Sequence, residues 1–199
     1  QTWAWRSSRA ADLPECCNRA AVLFEFEKSH LARFGVQAEY VGHPILDGWR
    51  TTEKPAPEKS GALRIALLPG SRRHEIACNL PPMLEAAALL GNRGFEFEVV
   101  HMSENREQIY RLLDASASVK PIERSCMQPD AYDLALCGAG TVSLELAAAG
   151  TPFVLCHRIS AVSYTLARRF IKTGLFAMPN ILAGYAAAPE LIQAECRAG

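Results

Sequence analysis

Short apolar runs alternate with longer stretches of helical period along most of this chain, and that alternation restricts it to parallel β-α-β units more firmly than any other feature. Residues 20–26 (AAVLFEF) read as a strand, 27–34 as a helix closed by Gly35, and 37–41 as a strand ending at Gly42-His43-Pro44. Residues 51–61 (TTEKPAPEKSG) are charged and Pro-rich without apolar period, which is linker composition. Beyond them strands are expected at 63–68, 95–101, 133–137 and 152–156, with helices at 75–90, 104–115 and 141–149. Ile76, Leu80, Leu84 and Ala87 give the first of these helices a core face. The expected fold is α/β: a Rossmann-like doubly wound parallel sheet at 62–199, preceded by the tail end of a first such domain at 1–50 and a linker at 51–61.

Composition narrows the function. The 199 residues are 49% apolar and 21% charged, within the globular range. Lys plus Arg and Asp plus Glu both number 21, so no whole-chain field attracts nucleic acid, and no basic patch with interleaved aromatics stands out. Seven cysteines without paired two-residue spacing fit neither a zinc clamp nor a disulfide scaffold. They read as reduced, mostly buried thiols of a cytosolic protein. No apolar run approaches the roughly 20 residues of a bilayer span. The opening lacks Met and the end, from Gln193, stops in a helical pattern, so the chain reads as a fragment.

In doubly wound sheets ligands gather at the carboxyl ends of strands, and two turns there carry suitable chemistry. Gly138-Ala139-Gly140-Thr141 follows the 133–137 strand and opens a helix. Its glycines admit a ligand to the backbone, Thr141 can cap the helix or donate to an anion, and Glu145 can accept from a ribose diol. A plain tight turn with a solvated Glu145 is the alternative. Gly70-Ser71-Arg72 follows the 63–68 strand, with Glu75 one turn on. There Ser71 and the amides after Gly70 suit a phosphate, and Arg72 offers a permanently charged donor to a departing diphosphate; first-turn solvation of Arg72 and Arg73 is the alternative. A third segment, Met178-Pro179-Asn180, places an amide on a loop, suited either to sugar or phosphate or to an ordinary turn. Residues 163–172 read as an amphipathic helix with a basic side. The five histidines are scattered and suggest no metal site.

Taken in order, Trp3-Ala4-Trp5-Arg6 with Arg9, Phe24-Glu25-Phe26-Glu27-Lys28, Gly42-His43-Pro44, Leu68-Pro69-Gly70-Ser71-Arg72 with Glu75, Gly140-Thr141 with Glu145, and Pro179-Asn180 with Ala183-Gly184 resemble the motif series of the lipid-A-disaccharide synthase family. The resemblance covers essentially the whole chain. It implies a GT-B type glycosyltransferase with two Rossmann-like domains, the second binding a UDP-sugar. The implied reaction moves 2,3-diacylglucosamine from UDP-2,3-diacylglucosamine to 2,3-diacylglucosamine 1-phosphate (lipid X), releasing UDP, at the cytoplasmic surface of the inner membrane. No cofactor or metal is implied, and a homodimer is compatible with it. Gly70, Ser71, Arg72, Glu75, Gly138, Gly140, Thr141, Glu145 and Asn180 become donor-binding candidates, with Arg72 and Asn180 as catalytic candidates. Residue 25 is Glu where the family commonly has Pro, the stretch 123–130 is irregular, and the acceptor site and general base are expected outside this sequence. The chain alone is accordingly expected to bind donor without turnover. Other UDP-N-acetylglucosamine enzymes of GT-B type, a non-catalytic UDP-binding module, and an empty Rossmann domain are the competing readings.

Overall fold

Leu63–Leu68 shows why the sheet is buried on both faces: Ile65 and Leu67 face one apolar cluster while Ala66 and Leu68 face another. The apolar run from Ile65 to Leu68, after Arg64 at the strand's start, suits a central parallel strand. In a computed structural model, residues 2–3, 7–47, 61–91, 93–113, 119–160, 164 and 174–198 are described. Ala4, Trp5 and Arg6 of the opening motif, most of the expected linker (51–60) and nearly all of the expected basic helix at 163–172 lie outside them.

The described residues fall into two compact units, one containing 2–47 and the other 61–160 and 175–198. In the smaller, strands β1 (Ala20–Val22) and β2 (Ala38–Tyr40) pair in parallel around helix α2 (Glu25–Ala32), after the short helix α1 (Leu13–Cys16). The strand expected over 20–26 stops at Val22 because Glu27 turns the chain: its Oε2 accepts the N–H groups of Leu23 and Phe24 at 3.2 and 3.1 Å, satisfying two donors at the helix start. Glu27 also accepts from Trp3 Nε1 at 3.0 Å, and Trp3 meets Phe26 edge-on. His43 accepts from Ile45 N–H at 3.2 Å and so caps the turn Pro44–Leu46.

The larger unit is a six-stranded all-parallel sheet. In chain order it comprises β3 (Leu63–Leu68), α3 (Arg73–Leu90), β4 (Phe95–His101), α4 (Arg106–Leu112), β5 (Val119–Glu123), β6 (Leu134–Cys137), α5 (Val142–Ala148), β7 (Phe153–His157), α6 (Met178–Ala183) and β8 (Glu190–Ile192). The strand order is β5-β4-β3-β6-β7-β8, the Rossmann-like doubly wound arrangement expected for this half of a GT-B type fold. Ile76, Leu80, Met83 and Ala87 of α3, with Ile109 of α4, cover one face, and Leu146 of α5 packs on the other. Each buried Ile, Leu or Met among these contributes about 1.5–3 kcal/mol.

Several expectations are corrected. β5 and β8 are strands that sequence patterning does not reveal: both are edges, β5 carries Pro121 and two charges, and β8 has three residues. Where one helix is expected over 104–115, residues 103–112 form a 3-10 turn, Ser103–Asn105, and then α4, while 114 and 115 lie outside the described residues. The irregular stretch after β5 consists of two 3-10 turns, Arg124–Cys126 and Pro129–Ala131, in place of a crossover helix. Residues 193–195 likewise make one 3-10 turn. All seven cysteines are free, but only Cys137, Cys156 and Cys196 are buried, so "mostly buried" does not hold.

Candidate functional site

The central strands β3 and β6 pair with Leu68 opposite Cys137, and from them the chain departs in opposite directions, to β4 and β5 on one side and to β7 and β8 on the other. That divergence creates a crevice beyond the carboxyl ends. The turns following these two strands, 69–72 and 138–141, are therefore neighbours, and Gly138 donates its N–H to Leu68 O at 2.8 Å. A side chain at Gly138 would put its Cβ 3.2 Å from both Asn79 Nδ2 and Pro69 O. Glycine there leaves room for the two turns to approach without displacing Pro69 or Asn79.

The 69–72 turn is built around Glu75. Gly70 has φ +118°, and a Cβ on it would fall 2.7 Å from Glu75 Oε2 and 2.9 Å from Glu75 Cβ. Glu75 Oε2 accepts Arg72 N–H at 3.3 Å, the half of a capping box that starts α3, while Oε1 accepts from Arg72 Nη1 at 2.7 Å. Burial pushes the Glu75 carboxyl up, but the Arg72 guanidinium, the Arg72 N–H and the charges of Arg72 and His74 outweigh it and hold the group below its ordinary value. Arg72 thus has an internal partner, while its side chain remains 72% exposed with further N–H groups to offer. Ser71 is exposed, and its carbonyl accepts from Asn105 Nδ2.

The 138–141 turn is pinned elsewhere. Ala139 donates its N–H to His157 Nδ1 at 3.3 Å. Since Gly138 and Ala139 spend their amides within the protein, backbone donors for a ligand must come from Gly140 onward. Thr141 makes no side-chain cap, which removes one of the two roles expected of it; Ser143 Oγ instead donates to Gly140 O at 2.8 Å. Glu145 is not solvated: its carboxylate, 12% exposed, pairs through Oε2 with Nη2 of Arg124.

Asn180 departs most from expectation. It lies inside α6, not on a loop, and is fully buried. Its Nδ2 donates to Ala188 O and to Glu190 Oε1, both at 2.8 Å, and its Oδ1 accepts Ala188 N–H at 2.9 Å. Glu190 also accepts the N–H groups of Phe176 and Ala177, anchoring the start of α6. The Asn180 amide is therefore spent on the fold and is not available to a sugar or phosphate in this arrangement.

Three residues of the site escape sequence reasoning. Asn79, on α3 and fully buried, donates to Pro69 O at 2.9 Å and accepts Arg158 N–H at 2.7 Å, tying the 69–72 turn to the end of β7. A polar residue on the core face of a helix was the available signal. His157 and Arg124 gave no signal, being brought in by sheet order alone. Burial holds the His157 imidazole below its ordinary value, with Glu75 opposing and His74 reinforcing, which suits its role as acceptor. Among the described residues, no three His, Cys, Asp or Glu side chains gather as a metal site.

With this geometry in view, relatives place the chain. The family described as Lipid-A-disaccharide synthetase matches residues 1–199. Proteins named lipid-A-disaccharide synthase from Geobacter metallireducens, Syntrophus aciditrophicus and Xylella fastidiosa are 35%, 33% and 34% identical to it, over 100%, 97% and 98% of this chain. These matches cover 54%, 54% and 55% of the respective relatives, so the chain spans about half their length. The chain belongs to the lipid-A-disaccharide synthetase family.

Proposed function

We propose that the larger unit binds the UDP portion of UDP-2,3-diacylglucosamine and serves transfer of its sugar to 2,3-diacylglucosamine 1-phosphate. The observation that carries this reading is the meeting of the 69–72 and 138–141 turns at the switch point of a parallel sheet. Family membership supplies the chemistry of the donor.

In this reaction an acceptor hydroxyl attacks the anomeric carbon, the bond from that carbon to the UDP oxygen breaks, and the hydroxyl proton passes to a base. Negative charge grows on the departing β-phosphate. Arg72, at the start of α3 and largely exposed, supplies fixed positive charge there without a metal, and the N-terminal end of that 18-residue helix adds to the field. Gly70 and Ser71 shape the phosphate side of the crevice, Gly140 and Thr141 contribute from the neighbouring turn, and Glu145 accepts from the ribose. Glu75 aims Arg72, and Gly138 permits the approach of the two turns. Acylated substrates place the reaction at a membrane surface. Among the described residues no helix is long and apolar enough to cross one.

Titration with UDP, followed by a transfer assay using lipid X and a chelator control, tests each part. Arg72→Ala is expected to weaken UDP binding at least tenfold, about 1.4 kcal/mol, as for loss of a charge-assisted contact. Unchanged affinity and turnover would remove Arg72 from the site, whereas a parent protein that ignores UDP refutes the donor reading. UDP binding without transfer identifies a donor-binding module.

A further inference from the structure

Glu145 has an ionic partner to which the donor reading gives no role. Arg124 enters from the turn after β5, its carbonyl accepting Met127 N–H at 3.2 Å, while Ser103 Oγ bonds Glu123 and so links the ends of β4 and β5. The guanidinium reaches α5 and takes Oε2 of Glu145 through Nη2. The side chains are 32% and 12% exposed, so the pair is shielded beyond an ordinary surface ion pair. A carboxylate has two oxygens and room for several donors. Here one oxygen is committed, and Oε1 accepts no hydrogen bond from the described residues.

We propose that Arg124 is a positioning residue that fixes one oxygen of Glu145 so that the other meets the ribose hydroxyls of a nucleoside diphosphate, and that this pair sets the preference for ribo- over deoxyribonucleotides. It rests on the reading of Glu145 as the ribose acceptor. Without Arg124 the carboxylate regains rotamer freedom, and each ribose hydrogen bond must then order it at the moment of binding. The phosphate contacts made by the 69–72 turn are untouched.

The test is calorimetric titration of the protein, Arg124→Ala, Arg124→Gln, Glu145→Gln and the Arg124→Ala/Glu145→Gln double variant with UDP and with 2′,3′-dideoxy-UDP. The parent is expected to prefer UDP by about tenfold, the scale of a charged hydrogen bond. Arg124→Ala lowers UDP affinity by about fivefold and leaves dideoxy-UDP affinity unchanged, so the preference collapses, and in the Glu145→Gln background it has no further effect. Arg124→Gln, which keeps a neutral donor, retains part of the preference and carries the test if the alanine variant does not fold. A variant that keeps the parental preference, or that loses both nucleotides equally, overturns the proposal while leaving Glu145 in place. A parent with no preference overturns the reading of Glu145 and the proposal with it.

Discussion

Replacing Asn79 with alanine tests how the candidate site is held. The side chain is fully buried and makes two hydrogen bonds to backbone groups, to Pro69 O at 2.9 Å and from Arg158 N–H at 2.7 Å. Alanine leaves a carbonyl beside Gly138 and an amide after β7 without their partner. At about 1–3 kcal/mol for the unsatisfied buried Pro69 carbonyl, with a smaller addition for the N–H of Arg158, an exposed residue that water can reach, the loss comes to about 1–4 kcal/mol. Asn79→Asp separates the two bonds: it can still accept from Arg158 N–H, but at neutral pH it sets a carboxylate oxygen against Pro69 O. The aspartate variant is expected to be at least as unstable as the alanine one at pH 7, and to recover on acidification as a protonated carboxyl becomes a donor. Urea unfolding followed by circular dichroism gives both numbers, and UDP titration shows the turn losing its shape. An alanine variant within about 0.5 kcal/mol of the parent would refute the claim that Asn79 fastens the turn to β7, since surface-like substitutions fall in that range.

Gly70→Ala should cost about 2 kcal/mol or more, because it forces a side chain to φ +118° and against Glu75 at 2.7 Å; a melting temperature matching the parent would rule out that conformation. The His157 imidazole titrates below its ordinary value of 6.5, so the unfolded chain binds protons that the folded one does not: stability is whole above pH 6.5 and falls as pH drops towards the folded value, together with the Ala139 contact and UDP affinity. His157→Gln should flatten this part of the pH profile, and an unchanged slope would assign it to another group. Tyr132→Phe removes a 2.6 Å hydrogen bond to Glu98, which keeps its Arg64 partner; about 1–2 kcal/mol of stability should disappear with no change in UDP affinity, and a changed affinity would link the amino end of strand β6 to the site. Asn180→Ala, which breaks three buried hydrogen bonds, should lower stability by about 2–4 kcal/mol yet leave the UDP affinity of the folded protein intact, and the reverse pattern would restore Asn180 to the donor cleft.

What the sequence discloses and what it hides divide along physical lines. β6 and β7 and the Ile65 to Leu68 part of β3 are legible as apolar runs of strands covered on both faces, β4 by the alternation of Phe95, Phe97 and Val99 with Glu96 and Glu98, and α3 because Ile76, Leu80 and Ala87 repeat with its period. The edges β5 and β8 are hidden, since an edge needs no such run. The turns at 69–72 and 138–141 can be located because glycine and charge follow a strand, but their adjacency depends on strand order, which local pattern does not encode. The partners of the candidate residues are hidden for the same reason: Arg124 lies 21 residues before Glu145, and Arg158 lies 79 after Asn79. Asn180 shows the opposite failure, an amide whose residue type suits a ligand but whose position makes it a fastening for Ala188 and Glu190.

The geometry of the two turns also bears on where binding energy goes. Gly70 leaves room for Glu75, Glu75 holds Arg72, Asn79 holds Pro69, and the absent side chain of Gly138 lets Pro69 and Asn79 approach. Each of these restraints orders the turn when the chain folds, so the diphosphate proposed to bind there would meet little remaining disorder to remove. The charges follow the same logic with a cost attached. Arg72 and Glu145 each have an internal counter-ion, which keeps Glu145 from being buried unpaired and steadies the exposed Arg72, but a ligand must share or displace that partner. Sharing is the cheaper course where one carboxylate oxygen or several guanidinium N–H groups remain uncommitted, and both conditions hold here. A site arranged in this way gains selectivity from geometry more than from net charge, in keeping with a chain whose formal charges balance at zero.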